Sequence, residues 1–478
     1  IASPLPFMLN FGIIIDVPAR AIHLAFGLGL CFLVFPAARR HAARPFPPAD
    51  LALAVIAASA TLYLVFAYPW IVERDGSLLV LGLGADGGEG GFPVEAVIGG
   101  LGMVMLLEAT RRALGWPLVI VAGVFLIYSV FGQSMPDLIS HKGVSLTRLV
   151  GYHWFGGEAI FGIPIDVSVS FVFMFVLFGA MLERAGAGRY FLDLSFAMVG
   201  RYRGGPAKAA ILASGMTGMI SGSSIANVVT TGTFTIPVMR RMGMPAVKAG
   251  AIEVAASVNG QIMPPIMGAA AFIIAEFLGI TYFDVVKAAF LPAFIAYIAL
   301  FYISHLEALK LGLRGMSRAD IPVLGRTFIG GVHFLLPIAL LVYLLMVERW
   351  TPSSSVFYAI LAMMVIMVVR LFCIRRAAET TIPAALMAGL ADIYSALITG
   401  ARNMVNISVA VAAAGIIVGS VSSTGLNNAL VGVVETVSGG NIYILLGMTS
   451  LLCLILGLGL PTTANYLVVA SLLAGVVV

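Results

Sequence analysis

The scarcest commodity in this chain is charge. Asp, Glu, Lys and Arg make up 10% of its 478 residues, against ~25% in a soluble globular domain. With 60% hydrophobic residues and a mean hydropathy of +1.06, a water-soluble fold is excluded. Cysteine is nearly absent. Cys31, Cys373 and Cys453 each lie in an apolar run, which leaves no disulfide framework and no metal-ligand spacing. No Walker A, H-E-x-x-H or G-x-S-x-G pattern occurs, and this argues against an ATP-driven pump and the commoner membrane hydrolases. Gly82 to Gly87 formally fits G-x-G-x-x-G, but it lies in an acidic loop with no βαβ context. The apolar runs are long and continuous rather than alternating, so a membrane β-barrel is excluded as well.

What remains is an all-α polytopic membrane protein. The net charge of +5 is carried largely by short basic loops beside apolar spans, as the positive-inside rule requires, and is not a nucleic-acid signal. Residues 1–15 read as the tail of a helix, followed by spans near 20–37, 50–71, 92–110 and 116–132. Arg39 to Arg44 and Arg111-Arg112 read as cytoplasmic, and the acidic loop 73–91 as external. A polar external segment, about 133–164, closes this first bundle. A span near 165–183 and an amphipathic stretch, 184–203, come next. Further spans are expected near 285–305, 327–347, 354–374 and 403–424. The apolar start of the chain and its end at Val478 read as cuts through a longer polypeptide.

Three passages break the pattern of simple spans. Ala209 to Met239 holds 31 residues without a charge, between Lys208 and Arg240. One crossing needs ~20 apolar residues and two need ~40 plus a turn. The centre, Ser221-Gly222-Ser223-Ser224-Ile225-Ala226-Asn227, is small and polar. A re-entrant hairpin over about 207–240 satisfies both facts, because irregular backbone at membrane depth is tolerated inside protein or beside a cavity. Residues 244–280 are overlong and interrupted at Asn259-Gly260-Gln261-Ile262-Met263-Pro264-Pro265; adjacent prolines remove two amide donors and break the helix. A second uncharged stretch, about 440–478, carries Gly457-Leu458-Gly459-Leu460-Pro461-Thr462-Thr463-Ala464-Asn465 at its centre. Ser221 lies 35 residues after Gly186, and Leu460 lies 35 after Gly425. Counting spans brings the second hairpin in from the opposite side. This is an inverted-topology repeat whose ligand site belongs between the two tips, near the midplane.

Each passage also has a plain reading. The tip serines and Asn227 would serve as helix-packing residues, the prolines as a simple kink, and the G-x-x-x-G at Gly218 to Gly222 as close packing between the hairpin arms. Against these stand the clustering, the flanking charges and the second copy. Hydroxyls and freed carbonyls are hard ligands for a small cation, and half-helix N-termini offer amides to an anion. Glu253 is an intramembrane carboxylate; it either carries a coupled proton or pairs with Lys248. Glu108, Glu276 and Lys287 read as span-end residues that snorkel, and His23 and His305 as interfacial. No arginine lies near either tip in sequence.

At Gly204-Gly205-Pro206-Ala207-Lys208, at Ser221 to Gly232, at Gly260 to Phe272 and at Gly457 to Thr463, the chain resembles the TRAP (tripartite ATP-independent periplasmic) transporter permeases. It is most similar to the fused TAXI type. The resemblance implies an elevator-type transporter. Residues 1–150 match a small-subunit-like transmembrane bundle and 151–478 a large-subunit-like transport domain. It also implies sodium, with H+ as the alternative, at Ser221, Gly222, Ser223, Asn227, Gly260, Gln261 and Pro264 and at Gly457, Gly459, Pro461 and Thr462. The organic-acid substrate is implied at Ser223, Ser224, Asn227, Thr462, Thr463 and Asn465. A second broken helix would follow Val478.

The expected activity is therefore secondary active import of a small carboxylate or dicarboxylate, delivered by a periplasmic substrate-binding protein. The expected setting is the bacterial inner membrane, as a monomeric unit with no enzymatic role and no cofactor. The alternatives are an ion channel or another membrane protein, and a membrane enzyme with Ser221 as nucleophile. A channel usually presents a ring of like residues from several subunits. Ser221 has no evident His or Lys base nearby.

Overall fold

The computed structural model describes residues 16–37, 47–74, 78–79, 93–377, 382–439 and 441–477. The chain start, the basic loop at 39–44, and the acidic loop from 75 to 91 apart from Leu78 and Leu79 lie outside the described residues, as does the Cys373 side chain. The fold is helical, with no strand among the described residues, and seven helices are long and apolar enough to cross a membrane. It is a multi-pass membrane protein.

The first helices are α1 (Asp16–Val34), α2 (Pro48–Glu73), α3 (Val94–Leu114) and α4 (Trp116–Val130). Next come α5 (Ile163–Ala185), which contains a π turn, and α6 (Ala187–Val199). The first hairpin is α7 (Gly205–Ser221) and α8 (Ser224–Arg241). The broken span is α9 (Ala246–Gly260) and α10 (Ala269–Leu278). Then follow α11 (Tyr282–Lys310), α12 (Leu324–Val347), α13 (Pro352–Ala377), α14 (Ile382–Thr424) and α15 (Leu426–Ser438). The second hairpin is α16 (Ile442–Gly457) and α17 (Thr462–Val477).

Contacts divide the chain into two units. One holds the described residues through Val169 together with those from Met404 onward. The other is Ser170–Asn403. In the first unit α1 packs along α2 and buries Leu24, Leu28, Phe32, Ala57 and Leu64. Among the described residues of this unit, the buried carboxylates Asp50 and Glu95 are paired with arginines. Arg112 reaches Asp50 and Glu108, each at 2.7 Å, and Arg111 also holds Glu108. Glu108 is thus an ion-pair partner rather than a snorkelling group. Glu95, fully buried, accepts hydrogen bonds from Arg74, Tyr63 and the Leu79 amide.

The segment expected to be a polar external connection is in part a packed layer. Trp154, Ile160 and Phe161 are fully buried. A Cβ added to Gly102 would strike the Trp154 ring, and one added to Gly415 or Gly419 would strike Ala159. His153 Nδ1 donates to Leu149 O, while Nε2 faces Ser420 Oγ and Ile416 O at 3.2 Å. Burial holds this imidazole below the usual histidine range although both carbonyls favour its charged form.

The span expected at 403–424 is the end of a 43-residue helix, α14. At ~1.5 Å per residue such a helix is about twice as long as the hydrocarbon core is thick. Gly389 and Gly400 did not break it; each sits where a Cβ would press on Val368 or Leu177. Its first half belongs to the second unit, where Asp392 accepts from Arg184 at 2.9 Å.

The element order repeats. Gly186 (φ +97°) separates α5 from the 13-residue α6, and Gly425 (φ +71°) separates α14 from the 13-residue α15. Both glycines adopt the left-handed conformation that ends a helix sharply. Each 13-residue arm leads into a helical hairpin.

Asp50 and Arg112 are 1% and 4% exposed at their side chains. Removing one partner strands the other, at a cost of ~3–5 kcal/mol. Asp50→Ala and Arg112→Ala should each lower the melting temperature of the purified protein by far more than Lys287→Ala, whose pair with Asp284 is exposed. Equal melting temperatures for all three variants would refute the assignment.

Candidate functional site

The first hairpin turns on two residues. Gly222 takes the left-handed conformation (φ +66°) that ends α7, and Ser223 is extended. Ser223 Oγ caps α8 by accepting from the Ala226 amide at 3.3 Å, and Ser221 Oγ donates to Ser223 O at 3.2 Å. The first amides of α8 have no carbonyl partner within the helix, so the tip carries a partial positive charge. The G-x-x-x-G thus divides its labour. Gly222 makes the turn, with open space where a Cβ would stand. Gly218 makes the close approach.

That approach is chiefly to α9. A Cβ on Gly260 would lie 2.9 Å from the Gly218 Cα, and one on Gly218 would lie 3.1 Å from Asn227 Nδ2. Small residues bring helix backbones together here as they do throughout membrane proteins. Into the crossing projects Asn227, fully buried. Its amide donates to Ser214 O and Ser214 Oγ at 2.9 Å and to Ser257 Oγ at 3.0 Å. Ser214 and Ser257 meet each other at 2.9 Å. The Ser214 carbonyl can only accept, which fixes the amide orientation. Asn227 Oδ1 is left without a protein partner. A buried acceptor without a donor costs ~1–3 kcal/mol, and a small cation is one group that offsets such a cost.

The broken span meets this tip through Gln261, whose Nε2 lies 3.4 Å from Gly222 O. Gln261 O accepts from the Gly268 amide at 2.7 Å. The carbonyls of Pro265 and Ile266 are taken by the Tyr282 hydroxyl, so those two are not open ligands. Pro264 lines an apolar cavity of about 710 Å³ with Met216, Tyr297 and Phe301. Of the tip hydroxyls, Ser221 lines a different cavity, of about 260 Å³, which Ser223 and Ser224 do not reach. Thr217, Ser221, Asn227, Thr230, Thr231 and Thr235 contribute to it. So does Arg189 from α6, an arginine that sequence distance had kept away from the tip.

Glu253 is fully buried. Thr231 Oγ1 bonds its Oε1, and Thr235 Oγ1 bonds its Oε2 at 2.6 Å. Lys248 instead pairs with Glu307, which removes the Lys248–Glu253 alternative. His305 Nδ1 lies 3.1 Å from Lys208 Nζ, and His23 Nε2 lies 3.0 Å from Ser168 Oγ.

The second hairpin lies in the other unit. Its turn runs through Leu458, Gly459, Leu460 and Pro461. A Cβ on Gly459 would lie 2.9 Å from Pro117. Asn465 donates to Cys453 O, 12 residues back, at 3.5 Å, as Asn227 donates to Ser214 O, 13 residues back. Asn465 Oδ1 also lacks a partner. Thr462 and Thr463 begin α17, half-buried.

Residues 101–478 match the family described as "Tripartite ATP-independent periplasmic transporter, DctM component". The chain belongs to this family. The DctM-component family is one of transporter permeases, not of enzymes. Among curated relatives, a C4-dicarboxylate TRAP transporter large permease protein of Pseudomonas aeruginosa is 38% identical over 91 residues, 19% of this chain and 21% of its own. An uncharacterized protein, YgiK, of Salmonella typhimurium is 27% identical over 174 residues, 36% of this chain and 35% of its own. A 2,3-diketo-L-gulonate TRAP transporter large permease protein of Escherichia coli is 24% identical over 168 residues, 35% of this chain and 39% of its own. The chain thus spans between about a fifth and two fifths of the length of these relatives.

Of the residues named from sequence, Ser221, Gly222, Ser223, Asn227, Gly260 and Gln261 are brought together. Ser224 follows them on α8. Sequence reasoning missed Ser214, Ser257, Thr231, Thr235 and Tyr282. Ser214 and Ser257 are single hydroxyls among small and apolar neighbours, whereas Thr231 and Thr235 belong to a run of threonines at 230, 231, 233 and 235, in which their i, i+4 spacing, which sets both on one face, hinted at a purpose. Gly260→Ala should destabilise by ~1–3 kcal/mol through overpacking. Gly250→Ala on the same helix, where a Cβ meets open space, should be neutral or stabilising. Thermal melts of both variants check the contact, and an unchanged Gly260→Ala would refute it.

Proposed function

We propose that this permease is a secondary active importer of a small organic acid, a carboxylate or dicarboxylate, driven by an ion gradient. The observation that carries the reading is the orphaned, fully buried Asn227 Oδ1 beside the open amides of the α8 N-terminus. One offers a hard oxygen to a cation and the others offer donors to a carboxylate. Sodium is the coupling ion we favour. One site would take its ligands from Ser221, Gly222, Ser223, Asn227, Gly260 and Gln261, and a second, separate site from Gly457, Gly459, Pro461 and Thr462. Pro264 serves by breaking the helix. The substrate would be held by Ser223, Ser224, Asn227, Thr462, Thr463 and Asn465. Two of the three relatives described above are permeases for carboxylates by their names, which supports the substrate class.

In this reading a periplasmic binding protein delivers the acid to a permease in the bacterial inner membrane. The hairpins carry it across by an elevator movement of an inverted repeat. Residues 1–150 act as the small-subunit-like bundle of a TAXI-type fusion and 151–478 as the transport domain, in a single functional unit. The repeated glycine, 13-residue arm and hairpin support this division.

Uptake into proteoliposomes, with the binding protein present, should require a sodium gradient. Ser223→Ala and Thr462→Ala should each lower sodium-dependent uptake about tenfold, the loss of one charge-assisted contact. Uptake that survives collapse of both the sodium and proton gradients would remove the coupling. Normal uptake by both variants would remove the site.

A further inference from the structure

Glu253 holds more than a structural bond. Thr231 Oγ1 touches Glu253 Oε1 and also lies 2.7 Å from the Asn227 carbonyl. Thr235 Oγ1 lies 2.6 Å from Glu253 Oε2 and 3.0 Å from the Thr231 carbonyl. A hydroxyl has one hydrogen and a carbonyl has none. With Glu253 ionised, two hydroxyl hydrogens face four acceptors. With Glu253 protonated, the acid hydrogen enters a threonine oxygen, and that threonine donates onward to its own helix carbonyl. With Glu253 ionised the Thr231 hydrogen points at Oε1; protonation on Oε1 turns it to Asn227 O. Asn227 is the residue whose other oxygen lacks a partner at the hairpin tip.

We infer that Glu253 is a proton site in competition with the cation at the first hairpin tip, linked to it through Thr231 and Asn227. The inference rests on the cation reading of that tip. Deprotonation adds a negative charge behind the site and turns the Thr231 hydrogen away from Asn227 O. Both changes favour a cation, and they do so strongly where water is excluded. Protonation reverses them. The exchange balances: one Na+ enters, and one proton leaves Glu253 for water. An outlet exists, since Thr231 and Thr235 also line the 260 Å³ cavity, which Glu183 and Arg189, both exposed, line as well. Neighbouring titratable groups have other engagements. On α11 the Tyr297 hydroxyl donates to Ala256 O, and Glu307 holds Lys248. Lys208 of α7 meets His305 of α11. Arg240 and Arg241 lie at the far end of α8.

The test uses the purified full-length protein in weakly buffered detergent with a pH indicator. Sodium chloride should release protons and choline chloride should not. The sodium midpoint for thermal stabilisation should weaken by up to about tenfold per unit fall in pH, by reciprocity of the two ligands. Glu253→Gln should release no protons and show a weak, pH-independent midpoint. Thr231→Val, which keeps the carboxylate and breaks the link, should flatten the pH dependence, and Thr231→Ser should restore it. Should Glu253→Gln fail to fold, the wild-type proton release and the threonine pair decide. Stabilisation by sodium without proton release, or proton release that persists in Glu253→Gln, overturns the competition and leaves the cation site standing. No stabilisation by sodium at any pH overturns both.

Discussion

The second unit is organised around one contact, the crossing of α7 and α9 at Gly218 and Gly260. In lipid no water waits to satisfy a stray polar group, so every buried donor needs a protein partner. Two glycines let the helix backbones touch, and only at that distance can one asparagine amide reach Ser214 on α7 and Ser257 on α9 while standing on α8. Three helices are thereby tied at a single point. The turn at Gly222, the cap at Ser223 and the break after Gly260 can be polar because this knot shields them. An apolar cluster at the hairpin base, with Ala207, Ile211, Met239, Ala249 and Ile252, closes the other end. The hairpin is held at its foot by packing and near its tip by hydrogen bonds.

The second hairpin uses the same element lengths with a looser knot. Asn465 reaches back to a backbone carbonyl as Asn227 does, yet its one recorded bond is long and goes to Cys453 O, where Asn227 has three short ones. Both asparagines keep an oxygen without a partner. A residue that repeats its backbone bond and its unmet acceptor in two copies is under a constraint other than packing, because packing alone favours a residue with no polar atom to bury.

The large divisions of this fold were legible in the sequence because charge is so rare in it. Most charged residues mark an edge, Glu253 within α9 and Asp392 within α14 being exceptions, and an uncharged stretch too long for one crossing announces a hairpin. Glycine and proline located the breaks at 222, 260–265 and 457–461 to within a residue or two. Elsewhere the punctuation misled. Gly400 and Arg402 read as an edge before 403, yet α14 continues through them from Ile382 to Thr424. The 146–162 segment looks polar because its glycines and His153 do, yet glycines of other helices, Gly99, Gly102, Gly415 and Gly419, press closest on its Phe155, Trp154 and Ala159. The site was half visible. Tip residues cluster and are seen; Ser214 and Ser257 stand alone on apolar helices, and a lone hydroxyl there has the same signature whether it packs or binds, while the threonines at 230, 231, 233 and 235 do not show in sequence which of them face Glu253. Arg189 enters the cavity only because Gly186 turns the chain back.

A cation site in such a setting has a problem of charge. A bare carboxylate ligand would bind sodium well and release it poorly, and its desolvation would burden the empty state. Neutral oxygens from asparagine, serine and the backbone avoid the burden but offer less attraction. An acid placed one hydroxyl away from the ligands is a compromise between the two. Its charge is felt through Thr231, its desolvation is offset by two threonine donors, and its proton can return when the cation departs. An empty site that can be made neutral moves through the hydrocarbon at lower cost than one carrying a fixed charge. In the elevator movement proposed above, where a site would travel both loaded and empty, that difference would set how fast the return step can be.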